Sequence, residues 1–272
     1  MELTLTDAER ANQRLWDELA PVHFRAYREV QMLRAGQPVL DDIELDEIGD
    51  VQGRSLLHLQ CHIGTDTLDW ERRGAQVTGI DFSARSIDMA CRLRDELGLQ
   101  ARFMHASVYD LPAGLQESFD IVYTSRGVLC WLRDLERWGR IIAGCLKPGG
   151  IAYVMDTHPS LCIFDDTVSG ALRVAHDYFH SPEPIVWDDA MPDYADSGYV
   201  AQGPSHEWTW SLGDIVNALL NAGLRLELLN EYDRLFFQAL PDMVECRDRW
   251  YHLPDHAGRL PLLFTLRARR PA

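Results

Sequence analysis

Residues 56–64 read Leu56-Leu57-His58-Leu59-Gln60-Cys61-His62-Ile63-Gly64, and residues 77–83 read Val77-Thr78-Gly79-Ile80-Asp81-Phe82-Ser83. The first stretch is a short apolar run that turns at a glycine and gives way to a helical pattern over 65–73. The second is another short apolar run, ending on a carboxylate. Strand, turn, helix, strand and acid is how α/β proteins hold a nucleoside: the turn lets backbone approach the ligand, and the acid accepts hydrogen bonds from ribose hydroxyls. A three-glycine phosphate fingerprint is absent, because Gln60 and His62 stand where a pyrophosphate loop needs glycine. A nucleoside cofactor without phosphates is therefore expected in preference to a dinucleotide. An acid at the end of an apolar strand costs free energy unless it is paired, which marks Asp81 as functional.

Outward from this unit the same rhythm continues. Short apolar runs at 55–59, 76–80, 101–105, 119–123 and 151–155 predict strands, and helical patterns at 65–73, 84–97 and 134–146 lie between them. Buried strands alternating with helices predict a doubly wound, mostly parallel α/β sheet. Ser211 and Asp214 predict the start of a helix that Gly223 stops. Strand-like runs at 224–229 and 260–268 then complete a seven-stranded sheet as a terminal pair with a long connection. Ahead of the sheet, Thr6 and Glu9 form a capping-box pattern, with Leu15, Trp16 and Leu19 at helical spacing. Pro21 is expected to break that helix, and a second helix would carry Phe24, Tyr27 and Val30 to Gly36. The chain thus divides into an N-terminal helical lid (1–50), a cofactor-binding core (51–156), a substrate-cap insertion (157–210) and a closing helix with two strands (211–272).

The 272 residues hold 26 basic and 42 acidic side chains, a net charge of −16. Such an excess repels phosphate backbones and anionic lipid, so neither nucleic acid nor a membrane is an expected partner. No apolar run is long enough to span a bilayer and no secretory signal opens the chain, so a cytoplasmic protein with reduced thiols is expected. His158 and Cys162 lie four apart with Pro159 between them and no second ligand pair follows; no metal site is expected. The segment from Asp156 to Ser205 holds nine acids, one arginine and six aromatics (Phe164, Tyr178, Phe179, Trp187, Tyr194 and Tyr199). Long irregular segments within a domain are commonly lids or binding regions.

Five segments then carry a family resemblance: HLQCHIG (58–64), GIDFS (79–83), HASVYDLP (105–112), FDIVYTSRGVLCWL (119–132) and LKPGG (146–150). In order and spacing they resemble the motifs of class I S-adenosylmethionine-dependent methyltransferases, in a branch whose first motif reads LHLQCHxG. The N-terminal NQRLWDELAPVHF and the later HEWTWSLGDIVNALLNAGLRLE resemble the same branch. The resemblance implies S-adenosylmethionine as cofactor, with Gln60, Cys61 and Gly64 lining its methionine part. It implies that Asp81 binds the ribose hydroxyls and Phe82 lies against adenine, with Ser107 and Val108 at the adenine edge. Thr124, Ser125 and Trp131 would close the pocket beyond the fourth strand. Independently of the resemblance, the N-terminal helices precede the sheet with amphipathic faces and no other obvious surface to cover, so Trp16 and Tyr27 are expected to fold over the cofactor as a lid. His58 departs from the family, where an acid is usual.

A methyl group on a sulfonium is already electrophilic, so placement supplies much of the rate and a base serves when the acceptor must lose a proton. His158, just past the fifth strand, is the first candidate base, followed by His206 and Tyr178, with His180 and Glu207 nearby in sequence. Aromatic faces and carboxylates in the insertion favour an amine or a phenolic metabolite as the small-molecule acceptor. Two alternatives remain at this point: a non-catalytic relative that only binds the cofactor, and an NAD(P)-dependent oxidoreductase, which the missing glycines disfavour. The oligomeric state is open.

Overall fold

Three helices precede the sheet in the computed structural model, which describes residues 3–188, 192–247 and 249–272. The Thr6 hydroxyl accepts from the Glu9 amide while the Glu9 carboxylate accepts from the Thr6 N–H, so α1 (Asp7–Ala26) begins on a reciprocal cap. The expectation that Pro21 ends this helix is corrected: α1 continues through Pro21, and the chain turns extended only at Tyr27, before α2 (Arg28–Arg34). A proline inside a helix forfeits one hydrogen bond. Here α1 is anchored on both sides of it, by Asp17 to Ser83 and Arg85 and by His23 to His62 and Asp193. Phe24 consequently belongs to α1. A third helix, α3 (Asp42–Ile48), starts on a second capping box built by Asp41 and Glu44.

The central sheet has seven strands: β1 (Ser55–Leu59), β2 (Gln76–Asp81), β3 (Arg102–His105), β4 (Phe119–Ser125), β5 (Leu146–Thr157), β6 (Arg225–Tyr232) and β7 (Leu263–Arg269). Their spatial order is β3-β2-β1-β4-β5-β7-β6. The first five are parallel, and β7 runs antiparallel between β5 and β6. The crossovers are α4 (Thr65–Arg72), α5 (Ala84–Leu97) and α6 (Leu135–Cys145), while α7 (Leu212–Asn221) leads into β6. Strand periodicity sorts the core into two layers. Ile151, Tyr153 and Met155 face the layer under α2, α3 and α4, whereas Ala152 and Val154 face α6 and α7.

The insertion after β5 is mostly irregular. It contains one short antiparallel pair, Ile185–Trp187 with Ser205–Glu207, and residues 189–191 of it lie outside the described residues. The connection from β6 to β7 carries a small three-stranded sheet of its own, Arg234–Leu235, Val244–Glu245 and Tyr251–His252. Among the described residues, no helix is long and apolar enough to cross a membrane. All six cysteines are free thiols.

Candidate active site

The C-terminal ends of β1, β2 and β4 meet at the loop 60–64, whose backbone is unusual. Gln60 and His62 adopt φ of 59° and 48°, the left-handed region that glycine ordinarily occupies. The loop therefore keeps a glycine-like path without two of the glycines. Such conformations cost on the order of 1–3 kcal/mol each and persist where surrounding bonds enforce them. The bonds are present: Gln60 Nε2 donates to the Val128 carbonyl (3.0 Å) and the His62 N–H donates to Asp81 Oδ2 (2.8 Å). Gly64, at φ 76°, cannot be replaced so easily. A Cβ there would sit 2.6 Å from the Phe103 ring of β3.

Asp81 ends β2 with its side chain buried. Its other oxygen accepts from the Ser83 N–H (2.8 Å), and burial pushes its carboxyl up to about 6 against the pull of these two backbone donors. The next residue, Phe82, presents its carbonyl to Gln13 Nε2 (2.6 Å) and His105 Nε2 (2.9 Å). Ser107 and Val108, just beyond β3, are buried beside this end of the sheet, with the Ser107 hydroxyl accepting from the Tyr109 N–H.

Past β4, Asp156 accepts from the backbone N–H groups of Gly127, Val128 and Leu129 at 2.7–3.0 Å, and so shapes the loop that carries Trp131. The Trp131 indole N–H closes that loop on the Gly127 carbonyl (2.9 Å). Thr124 and Ser125 end β4 buried. Thr124 Oγ1, Gln60 Oε1 and His58 Nε2 are buried without a partner among the described residues. Buried polar atoms are rarely left so. Two oxygen acceptors at the ends of β1 and β4 suit an ammonium donor, and the Asp81 carboxylate suits a diol. S-adenosylmethionine offers both, so the residues present fit it. His58 itself stays neutral: its Nδ1 lies 2.8 Å from Thr67 Oγ1, and burial lowers its pKa to about 4.

Helix α1 crosses over these loops. The Trp16 ring meets both His62 (centroids 4.9 Å) and Trp131 (5.2 Å) edge to face, bridging the β1 and β4 loops. One face of α1 carries Asn12, Trp16 and His23, and Tyr27 follows just past its end. His23, fully buried, lies 2.9 Å from His62 Nε2 through Nδ1 and 3.0 Å from Asp193 Oδ2 through Nε2. Tyr27 stacks on His23 and shares a hydrogen bond with Tyr194 of the insertion. Beside them, at the end of β4, Arg126 pairs with Asp41 (2.6 Å) and Glu44 and lies over the Phe236 ring. The Glu44 carboxyl is pushed up to about 7 by complete burial, despite that guanidinium.

The sequence-predicted residues from Trp16 to Trp131 thus gather at one end of the sheet, with Cys61 buried at the foot of the loop. The candidate bases scatter. His206 lies under α1, bracketed by Asn12, whose Nδ2 donates to the His206 carbonyl and whose Oδ1 accepts from its N–H; its Nδ1 is buried and unpartnered among the described residues. His158 turns instead toward β6, with Nδ1 2.7 Å from Ser160 Oγ and Nε2 2.9 Å from Glu231 Oε1. The Tyr178 hydroxyl accepts from the Leu212 N–H, and His180 stacks on Trp210, both at the start of α7. Glu207 is half-buried and accepts from the Ser205 hydroxyl. The six aromatics of the insertion do not form one cage either: Phe179 is 77% exposed, Trp187 packs on His176 and Tyr199 binds Glu18, leaving Tyr194 to reach the His23 cluster. Sequence reasoning missed His23, the His62 side chain, Asp193 and Arg126. The spacing of Trp16 and His23 along one helical face was the available signal for the first of these.

A parallel sheet reversed by one antiparallel strand, with an acid at the end of β2 and a tight loop after β1, defines a class I methyltransferase domain, and residues 57–152 match the Methyltransferase domain family. Over those residues, about a third of its length, the chain carries a methyltransferase domain. A ubiquinone biosynthesis O-methyltransferase from Chromobacterium violaceum is 30% identical over 149 residues, 55% of this chain and 60% of that one. A cypemycin N-terminal methyltransferase from a Streptomyces species is 29% identical over 113 residues, 40% of this chain and 44% of that one. The chain spans less than two thirds of the length of both. Among solved structures, an S-adenosylmethionine-dependent methyltransferase from Mesorhizobium loti superposes with a TM-score of 0.58 at 21% identity, covering 82% of this chain and 93% of that one.

Proposed function

We propose that the protein transfers a methyl group from S-adenosylmethionine to a nitrogen or oxygen of a small amine or phenolic acceptor. The observation that carries this reading is the position of Trp16, in contact with His62 and Trp131 at once beside Asp81. A helix laid over both loops excludes water from a donor held between them, and leaves the acceptor to enter beside Trp131 and the 205–207 strand. The cofactor supplies an electrophilic methyl; the chain's own residues orient it and shield it. Asp81 holds the ribose, Gln60 and Thr124 receive the ammonium, and Trp16 closes the site. His206 is the base in this reading, because its Nδ1, without a partner among the described residues, lies buried where α1 meets that strand. Relatives named for O-methylation and for N-terminal methylation support an acceptor of either atom.

Calorimetry with S-adenosylmethionine and, separately, NADH is the first test, followed by S-adenosylhomocysteine production with amine and phenol panels. Binding of S-adenosylmethionine alone, and turnover with one panel, is expected. His206→Ala should lower turnover by roughly 10²-fold with cofactor affinity unchanged. Binding of NADH alone would overturn the reading, and full turnover in His206→Ala would remove that histidine from it.

A further inference from the structure

Four segments far apart in sequence are joined by one chain of hydrogen bonds. Asp193 Oδ2 of the insertion lies 3.0 Å from His23 Nε2, His23 Nδ1 lies 2.9 Å from His62 Nε2, and His62 Nδ1 lies 2.9 Å from Ser86 Oγ on α5. The main chain of that same His62 donates to Asp81 Oδ2. Both imidazoles use both ring nitrogens, so neither has a nitrogen left for an acceptor. Their role is therefore not proton transfer to a substrate.

Resting on the S-adenosylmethionine reading, we infer that His23 and His62 are positioning residues. They couple docking of the Asp193 turn to the pose of the cofactor loop. The protons fit one consistent order. Ionised Asp193 accepts the His23 Nε2 proton, which leaves His23 Nδ1 as an acceptor for the His62 Nε2 proton and His62 Nδ1 as an acceptor for the Ser86 hydroxyl. The ring of His62 is thereby held from two sides. That restraint keeps its backbone at a φ of 48°, and this conformation points its N–H at Asp81. Asp193 Oδ1 also accepts from the Ala195 and Asp196 N–H groups, so the carboxylate organises its own turn while it reaches α1. Release of that turn frees one end of the chain, and the loop that holds the cofactor loses a restraint. Acceptor-side closure and cofactor affinity are linked reciprocally on this account.

The experiment is a double-mutant cycle on S-adenosylmethionine binding, measured by calorimetry with Asp193→Asn, Ser86→Ala and the double variant. These two residues do not touch each other, and asparagine retains an oxygen for the 195–196 amides. Asp193→Asn is expected to weaken binding at least about fivefold, the lower end of common site-to-site couplings. The double variant is expected to bind more tightly than the product of the single effects, since each change disturbs the same chain: asparagine presents an N–H to His23 Nε2 where the carboxylate accepted, and alanine removes the Ser86 hydroxyl. Amide exchange at 60–64 should quicken in Asp193→Asn, although that residue lies in another segment. An unchanged Kd in Asp193→Asn, or effects that simply multiply, would overturn the coupling. Failure of the unmutated chain to bind S-adenosylmethionine would instead overturn the functional reading, and this inference with it.

Discussion

Gln60 and His62 replace two glycines by making side-chain bonds that glycine cannot. The left-handed backbone is kept, and its strain is offset by Gln60 reaching Val128 and by the imidazole wedged between Ser86 and His23. From sequence, these two residues mark only the absence of a phosphate fingerprint; in the fold they fasten the loop. Asp81 is the opposite case: its place at the end of β2 was legible from the apolar run before it. Its carboxyl, raised to about 6 from an ordinary 3.8, favours folding while it is neutral, so that contribution is present below about pH 4 and is lost as pH rises through 6. In the proposed site, cofactor binding would have the reverse dependence, because ribose hydroxyls would donate to the ionised form. Affinity for S-adenosylmethionine should therefore fall as pH drops below 6, by up to roughly tenfold per unit. Asp81→Asn should be weaker by about tenfold or more at pH 7.5, the loss of a charged hydrogen-bond acceptor, and flat across this pH range. A variant that kept the unmutated pH profile would assign the titration to another group.

At the scale of elements, α1 is where local rules and tertiary contacts disagreed. Proline chemistry predicts a break at 21, yet anchors at Asp17 and His23 carry the helix to Ala26. The resulting single 20-residue helix delivers Asn12, Trp16 and His23 in one line over the site, with Tyr27 just past its end. If α1 is a lid, hydrogen exchange across residues 10–26 should slow when S-adenosylmethionine binds, because ordering it reduces local opening. Unchanged protection there would leave α1 as a packing element of the sheet flank. The neighbouring α3 was not read from the sequence at all. Seven residues offer little periodicity, and its role depends on partners elsewhere: Glu44 meets Tyr123 and Arg126, and Glu47 meets Tyr153 (2.7 Å).

The whole molecule is closed by its last strand. β7 enters between β5 and β6, so it is an interior strand that joins the edge strand β6 to the parallel part of the sheet. Phe264 on β7 is fully buried against the α6 and α7 layer. Phe264→Ala should destabilise the fold by about 3–5 kcal/mol through lost burial and a residual cavity, read as a shift in the denaturant midpoint. A loss below about 1 kcal/mol would show that the layer collapses around the gap, as softer sites do. Alternating apolar runs and helical patterns were enough to determine the parallel sheet, its terminal pair and the acid at the end of β2, because those signals are periodic and local. The insertion was legible as a departure from that rhythm, but not as the source of Asp193. Which of its aromatics reach the site, that His158 turns toward Glu231 while His206 tucks beneath α1, and that two histidines 39 residues apart share a hydrogen bond were decided by tertiary structure alone. Such meetings depend on how separate segments pack, and no spacing within a single segment encodes them.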